Sequence, residues 1–378
     1  MNIAIITYSC AFNYGAMLQT YGLYSYLKES GHTPIVIDYI PERYNIDSPD
    51  YADKAMSRTR LWKYFPVLKP LWKRIRLSEM KTNRSIFRSF LEKNVHLTKR
   101  YYSLDELQAS PPCADIYITG SDQVWNSDFI WSGVIDEPYY LAFLPDSIPK
   151  ISYASSFGKN RLKEEERNVT QKYLAKYKSL SVRESSGLSI LSNLGLLAAE
   201  VADPTILAGP ETFRKLVLDK TPQKPFMILF LITYKDYIHD MCREVAEKNG
   251  VELITIIPDV YQGKKCRSSD KLVLPTVEEW IGYFKEASYV VTDSFHATAF
   301  SIMFERQFST CTAAGYNGRI TNILKKVGLE ERSLIEINKE ALDRHINIPI
   351  DFEKPMEKLR KWQKESREWL DNSITGKD

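Results

Sequence analysis

The chain has 378 residues, 44% hydrophobic and 26% charged, a composition typical of a globular protein with two domains. No apolar run approaches the roughly 18 residues that span a bilayer, and the N-terminus lacks a signal-peptide pattern. The five cysteines show no CxxC or Cys/His spacing, so we predict neither a disulfide framework nor a metal site, and a cytoplasmic location.

The net charge of the chain is only +3, but one segment is strongly basic. From Lys54 to Arg100 there are fourteen Lys or Arg and two acidic residues, a local charge of +12, with Trp62 and Trp72 among the cations. Such a pattern is typical of basic amphipathic helices that lie on an anionic membrane face. A solvated helical excursion is at least as strong an alternative. Nucleic-acid binding is the weakest of the three interpretations, so we expect no nucleic-acid partner.

The first half of the chain has the order of elements that opens a doubly wound parallel sheet. Apolar runs predict strands at 3–7, 34–39, 115–119, 150–154 and 179–183 and helices at 17–30 and 162–177. The loop after the first strand holds Asn13, Tyr14 and Gly15 but no GxGxxG, so a dinucleotide fingerprint is absent. It is either a ligand-binding loop or, for Gly15 alone, a tight turn.

Polar residues follow the strands of this first half. GSDQVWN comes directly after strand 115–119, SSFGKN after 150–154, and Arg183 at the end of 179–183. Because the carboxyl ends of parallel strands share one edge of a sheet, we expect these loops to form one wall of a cleft.

A second α/β unit begins after a segment at 201–210 with two prolines and little periodicity. Its predicted elements are strands at 226–232, 251–257, 289–292 and 307–311 and helices at 236–249, 276–286, 297–304, from about 318, and from 355 to about 370. The predicted domains are 1–205, with the basic excursion 54–100 and the C-terminal helix 355–378, and 206–350.

The stretch YVVTDSFHATAFSIMF, residues 289–304, reads as a buried strand, a polar turn and a helix. Asp293 or Ser294 can cap this helix, whose first turn carries unpaired N–H groups and the positive end of the macrodipole. Such a terminus favours anions. His296 falls in that turn, so it is a candidate acid/base beside a candidate phosphate site; a capping role is the alternative.

Seven motifs in order resemble those of a bacterial branch of the polysaccharide pyruvyl transferase family. They are NYGAMLQ, GSDQVWN, ISYASSFG, SVRE, ADPT, DSFH and KESREWL. The resemblance implies a GT-B-like fold, with two Rossmann-like domains facing across a cleft and a C-terminal helix crossing back to the first domain. It also implies transfer of the pyruvyl group of phosphoenolpyruvate onto a sugar of a surface polysaccharide, such as an exopolysaccharide or capsule, or its precursor. The product is a pyruvate ketal, and phosphate is released.

The resemblance also assigns roles to residues. His296 matches the family histidine, and Arg183 the arginine of its SVRE motif; Ser294 stands where the family pattern usually has Arg, with Arg319 as a substitute. We therefore expect a catalytic His296, and the other site residues in two sets. The donor-binding set is Arg183, Asp293, Ser294 and Arg319, and the acceptor-binding set is Asn13, Tyr14, Ser121, Asp122, Gln123 and Asn126.

No cofactor beyond phosphoenolpyruvate as co-substrate is expected, and the partner is a glycan acceptor, either free or lipid-linked at the inner face of the cell membrane. Two alternatives stay open. One is a glycosyltransferase of the same architecture with a nucleotide-sugar donor, because fold does not fix function. The other is a non-catalytic subunit of a polysaccharide assembly complex, to which the serine at position 294 points.

Overall fold

The computed structural model describes residues 1–49, 51, 54, 67, 69–130, 133–218, 220–267, 271–312 and 318–376. The chain forms two compact units. The first contains Met1–Phe12, Leu27–Val182 and Ser186–Glu200. The second contains Asn13–Tyr26, Arg183–Ser185 and Val201–Asp378.

The first unit is built on a five-stranded parallel sheet in the order β3-β2-β1-β4-β5. Ile3 to Ile6 are wholly buried because their strand is central, with a neighbour on each side. The strands are β1 (Asn2–Ile6), β2 (Thr33–Tyr39), β3 (Leu97–Tyr101), β4 (Ile116–Thr119) and β5 (Lys150–Ser152), and a small sheet pairs β6 (Ser181–Val182) with β7 (Ala199–Glu200). The helices are α1 (Tyr14–Glu29), which starts in the second unit, α2 (Lys69–Asn94), α3 (Leu104–Ala109), α4 (Glu164–Leu174) and α5 (Ser185–Asn193).

The second unit is built on a six-stranded parallel sheet in the order β10-β9-β8-β11-β12-β13. Counted from its own first strand, this is the 3-2-1-4-5-6 order of a Rossmann sheet. The strands are β8 (Phe226–Phe230), β9 (Glu252–Ile256), β10 (Leu272–Val273), β11 (Tyr289–Thr292), β12 (Gln307–Cys311) and β13 (Ser333–Leu334). The helices are α6 (Pro204–Ala208), α7 (Pro210–Arg214), α8 (Asp236–Lys248), α9 (Val260–Gly263), α10 (Val277–Glu286), α11 (Phe295–Met303), α12 (Gly318–Val327), α13 (Lys339–Asn347) and α14 (Glu353–Thr375).

The predicted α/β class with two Rossmann-like domains is confirmed. The compact units nevertheless divide the chain differently from the predicted domains. The C-terminal helix α14 belongs to the second unit, because it packs on α6, α11 and α12. The predicted facing arrangement, the cleft and the crossing of this helix to the first domain stay predictions.

The basic segment contains a strand as well as a helix, which the sequence did not predict. After α2, the edge strand β3 (LTKRY) pairs with β2, and it carries two adjacent cations, Lys99 and Arg100, as charged side chains are common on protected edges. Arg88 and Arg100 both pair with the buried Asp38 of β2, at 2.7 and 3.1 Å. Part of the local positive charge is therefore neutralised inside the first unit.

Among the described residues of the segment, Arg74 and Lys81 are cations exposed on α2. Trp72 is half-buried on α2, whereas Trp62 lies outside the described residues. Within the part of the chain that the structure describes, no helix combines the length and apolarity needed to cross a bilayer.

Candidate functional site

The turn between β11 and α11 is held by its own side chains. The Ser294 hydroxyl accepts a hydrogen bond from the N–H of Ala297 at 3.4 Å and caps α11. Asp293 accepts one from the N–H of Ile232 at 2.7 Å, across to the end of β8. Burial raises the pKa of Asp293, although that backbone bond and Lys235 oppose the rise. Both residues therefore shape the turn, and their donor-binding roles stay predictions.

His296 lies in the first turn of α11, as predicted, and faces a buried ion pair. Its Nε2 is 3.8 Å from Oδ2 of Asp203, and that same oxygen accepts a hydrogen bond from Nη1 of Arg183 at 2.9 Å. The Arg183 guanidinium also lies 4.9 Å above the ring of Phe295, and its Nε is 3.6 Å from Glu184. The SVRE, ADPT and DSFH motifs are thus brought together within the second unit.

Asp203 is wholly buried at the N-terminus of α6. Its Oδ1 accepts hydrogen bonds from the N–H and the hydroxyl of Thr205, at 2.9 and 2.8 Å. Burial alone would raise the pKa of Asp203, but His296, Arg183 and the Thr205 N–H together lower it below the ordinary value. A carboxylate with a lowered pKa at this position is ionised at neutral pH and can orient the imidazole and stabilise its protonated form.

The KESREWL motif explains why α6 keeps its place. Ser366 of α14 accepts a hydrogen bond from the N–H of Ala202 at 2.9 Å, directly before Asp203. Gln363 donates hydrogen bonds to the carbonyls of Ile206 and Leu207 at 2.7 and 3.2 Å. Arg367 donates to those of Leu207 and Ala208 at 2.9 and 3.0 Å. The C-terminal helix therefore satisfies the open carbonyls of α6 and fixes the position of Asp203.

Gly15 has a steric role that its sequence context did not reveal. It lies inside α1, so it is not a turn glycine. A Cβ atom at this position would be 2.0 Å from Nδ1 of His296 and 2.5 Å from its Cε1. Only glycine leaves room for the imidazole, so NYGAMLQ contributes to the same cluster.

The neighbouring residues predicted to bind the acceptor have structural roles here. Asn13 caps α1 by accepting a hydrogen bond from the N–H of Ala16 at 2.8 Å. Tyr14 is 1% exposed, stacks on Trp280 and donates its hydroxyl hydrogen to the carbonyl of Pro275 at 2.8 Å. Packing is the simpler interpretation of Tyr14, and the binding roles of both residues stay predictions.

The remaining predicted acceptor residues lie in the first unit, where GSDQVWN and ISYASSFG contact each other. Ser121 is wholly buried, and Asp122 has a φ of +72° and accepts a hydrogen bond on its carbonyl from the N–H of Ser156 at 3.0 Å. Gln123 and Asn126 pack over Gly158, where a Cβ atom would be 2.1 Å from the Gln123 side-chain oxygen. This left-handed, tightly packed loop holds polar groups in fixed positions after β4.

His296 and Arg183 were predicted from the sequence as site residues, whereas Asp203 was not. The available signal was ADPT itself, because Asp followed by Pro and Thr is a helix N-cap with proline at the first helical position. Arg319 is half-buried in the first turn of α12, and its role as a donor-binding substitute stays a prediction.

A family model matches most of the chain. The family model described as polysaccharide pyruvyl transferase matches residues 13–312, a range that includes Gly15, Arg183, Asp203 and His296. No curated protein matches the chain significantly.

Solved structures show a similar fold at low sequence identity. The UDP-GlcNAc 2-epimerase of Neisseria meningitidis, bound to UDP-GlcNAc, has a TM-score of 0.53 at 11% identity and covers 100% of both chains. The UDP-GlcNAc 2-epimerase of Methanocaldococcus jannaschii has a TM-score of 0.54 at 13% identity and covers 94% of both chains. These matches support the GT-B-like fold alone. Because the family model matches most of the chain, the chain belongs to the polysaccharide pyruvyl transferase family.

Proposed function

We propose that the protein transfers the pyruvyl group of phosphoenolpyruvate onto a sugar of a surface polysaccharide or its precursor. In this reaction the donor's C3 methylene gains a proton while one sugar hydroxyl oxygen bonds to C2. A second hydroxyl oxygen then displaces phosphate from C2, which leaves a ketal with two new C–O bonds. The observation that carries the proposal is the buried Arg183–Asp203–His296 cluster at the N-terminus of α11.

His296 is the proposed acid/base. Its side chain is 10% exposed, and its Nε2 lies 3.8 Å from the Asp203 carboxylate, close enough for electrostatic interaction. An imidazole exchanges protons near neutral pH, and a fixed carboxylate behind it favours the charged form. Asp203 is thus proposed as a positioning residue.

The Arg183 side chain is only 1% exposed, so the role that we propose for it in donor binding is an indirect one. Its guanidinium pairs with Asp203, which offsets the repulsion between that buried carboxylate and an anionic donor, and it lies over the Phe295 ring. The first-turn N–H groups of α11 add partial positive charge to the same end of the helix. We propose that Arg183 supports binding of the anionic donor by neutralising Asp203 behind this helix end, with Arg319 as helper.

The direct test incubates the purified protein with phosphoenolpyruvate and candidate glycans. Phosphate release, together with a mass gain that matches a pyruvate ketal on the glycan, is the expected result, and His296→Ala should abolish both. Titrations with UDP and CMP separate the glycosyltransferase alternative. Saturable nucleotide binding without phosphoenolpyruvate binding would favour that alternative, and no saturable binding of any donor would favour the non-catalytic subunit.

We also propose peripheral contact with an anionic membrane through α2. Leu71 and Ile75 are 61% and 43% exposed and, four residues apart, lie on one face of the helix. Arg74 and Lys81 are exposed on this side. Exposed apolar side chains beside cations are the pattern of an interfacial helix, which would bring the enzyme to a lipid-linked acceptor at the inner face of the membrane.

Co-sedimentation with vesicles tests this contact. Changing Arg74 and Lys81 to Gln should weaken binding to anionic vesicles about thirtyfold at low salt, at roughly 1 kcal/mol for each cation. The matched control changes Lys361 and Lys364 of α14, which are also exposed, to Gln. Equal sedimentation of both variants, or no sedimentation of the unchanged protein, would contradict membrane contact and favour the interpretation of α2 as a solvated helix.

A further inference from the structure

The first unit contains a cavity of about 250 Å3 that shares no residue with the Arg183–Asp203–His296 cluster. Its lining includes Tyr39, Arg43, Leu104, Phe129, Asp136 and Glu137. Tyr39 is the last residue of β2, so the cavity lies beyond the carboxyl end of a central strand. Open α/β sheets bind their ligands at this edge. The volume is below the roughly 300 to 1,000 Å3 of drug-sized pockets and suits one small ring.

One wall of the cavity is rigid. The Arg43 guanidinium lies between two aromatic rings, 4.6 Å from the centre of Tyr44 and 4.5 Å from that of Phe129. It also donates hydrogen bonds to the Phe129 carbonyl at 3.0 Å and to the Tyr44 hydroxyl at 2.9 Å. Its charge is thereby engaged by the protein, and the wall is pre-organised for a ligand.

Three acidic residues line the cavity; Glu42 forms an ion pair with Lys54, and the other two, Asp136 and Glu137, bind tyrosine hydroxyls. Asp136 accepts a hydrogen bond from the Tyr39 hydroxyl at 2.8 Å, and Glu137 accepts one from the Tyr173 hydroxyl at 2.5 Å. Each bond uses one carboxylate oxygen, and within the described ranges the second oxygen of each has no protein partner. Such oxygens accept strong hydrogen bonds from ligand hydroxyls, while the nearby Leu104 and Phe129 offer apolar surface.

We propose that this cavity binds a neutral pyranose ring of the acceptor glycan. A sugar ring combines hydroxyl donors at its rim with apolar C–H faces, which matches carboxylate oxygens beside aliphatic and aromatic side chains. Two carboxylates disfavour an anionic sugar by charge repulsion. As an acceptor subsite, the assignment rests on the proposed function.

The subsite gives Asn126 a positioning role. Its side-chain oxygen accepts a hydrogen bond from the N–H of Asp128 at 3.0 Å and caps the turn 127–129. That turn carries Phe129, which supports Arg43. The GSDQVWN motif would therefore act on the acceptor through the cavity wall.

The test measures binding of sugars to the full chain without phosphoenolpyruvate. Methyl glycosides of glucose, galactose, mannose and N-acetylglucosamine are titrated by saturation-transfer NMR, with glucuronic acid as the anionic comparison. At least one neutral glycoside should bind saturably, and more tightly than glucuronic acid. Leu104→Trp should weaken that binding tenfold or more by filling the cavity, whereas Leu197→Trp, at a 95% exposed position of the same unit, should not.

Asp136→Asn is the second variant; it keeps an acceptor for Tyr39 and should weaken binding about tenfold. If Leu104→Trp does not fold, sugar binding by Asp136→Asn tests the proposal in its place. Saturable binding of none of the neutral glycosides, or unchanged binding in the folded cavity variants, overturns the proposal. A separate titration with phosphoenolpyruvate tells the two hypotheses apart. Sugar binding without donor binding would refute the transferase reaction and leave the cavity assignment standing.

Discussion

Gly15→Ala tests the packing of His296 without touching its chemistry. The new Cβ atom would lie 2.0 Å from Nδ1 of the imidazole, whereas ordinary contact begins at 3.4 Å, so the two groups must separate by about 1.4 Å. A misplacement of about 1 Å can reduce turnover about a hundredfold. We therefore expect Gly15→Ala to lose about a hundredfold in turnover, with the imidazole displaced from Asp203.

The assay is phosphate release from phosphoenolpyruvate with a glycan acceptor, at matched folded fractions. The NMR signals of the His296 ring provide a second readout, which does not depend on the acceptor. Gly250→Ala is the control, because it lies in the same unit with a φ of +66° and open space around it. It should cost about 1 to 2 kcal/mol of stability and leave turnover unchanged. Turnover of Gly15→Ala within threefold of the unchanged protein would refute the reasoning.

Three further predictions concern single side chains. His296→Ala should reduce turnover about a hundredfold or more while the fold survives, measured by phosphate release and circular dichroism; near-normal turnover would exclude it as the acid/base. Arg183→Ala should cost about 3 to 5 kcal/mol in urea unfolding at pH 7, because it leaves the buried Asp203 carboxylate with fewer partners, and should weaken donor binding about tenfold. The pKa of Asp203 is lowered in the folded protein, so this stability is present at neutral pH and is lost as the pH falls through that lowered value; an equal loss at pH 3 and pH 7 would contradict the ion-pair argument. Asp136→Asn should stabilise the protein by up to about 3 kcal/mol at pH 7.5, because burial raises the pKa of Asp136 to about 6 and its ionised form is disfavoured in the folded state. The gain should shrink as the pH falls from 6 to 4, where the unchanged residue becomes protonated, and a pH-independent difference in unfolding free energy would contradict this assignment.

The sequence predicted those elements whose burial leaves a long apolar signal. β1, β8 and β11 are continuous hydrophobic runs because they are covered on both faces. β3 was missed because it is a short edge strand with two adjacent cations and no apolar alternation. β10 and β13 were missed because each has only two residues, too few to show a period.

The site was predictable only in part, for a similar reason. His296 lies in the first turn of a helix and Arg183 directly follows a strand, so any assignment of strands and helices draws attention to both. Asp203 is recognised as more than a helix cap only when Arg183 and His296 are seen around it. The contact between Gly15 and His296 joins distant parts of the chain, and nothing local in either segment indicates it.

The interleaving of the two units bears on how such a protein could be divided or recombined. Residues 13–26 and 183–185 belong to the second unit, yet each is flanked on both sides by first-unit residues. A gene segment that encodes 201–376 would therefore omit Gly15 and Arg183, and with them two walls of the His296 environment. A single crossover cannot therefore exchange the second unit as one contiguous piece, because segments of it lie on both sides of first-unit residues.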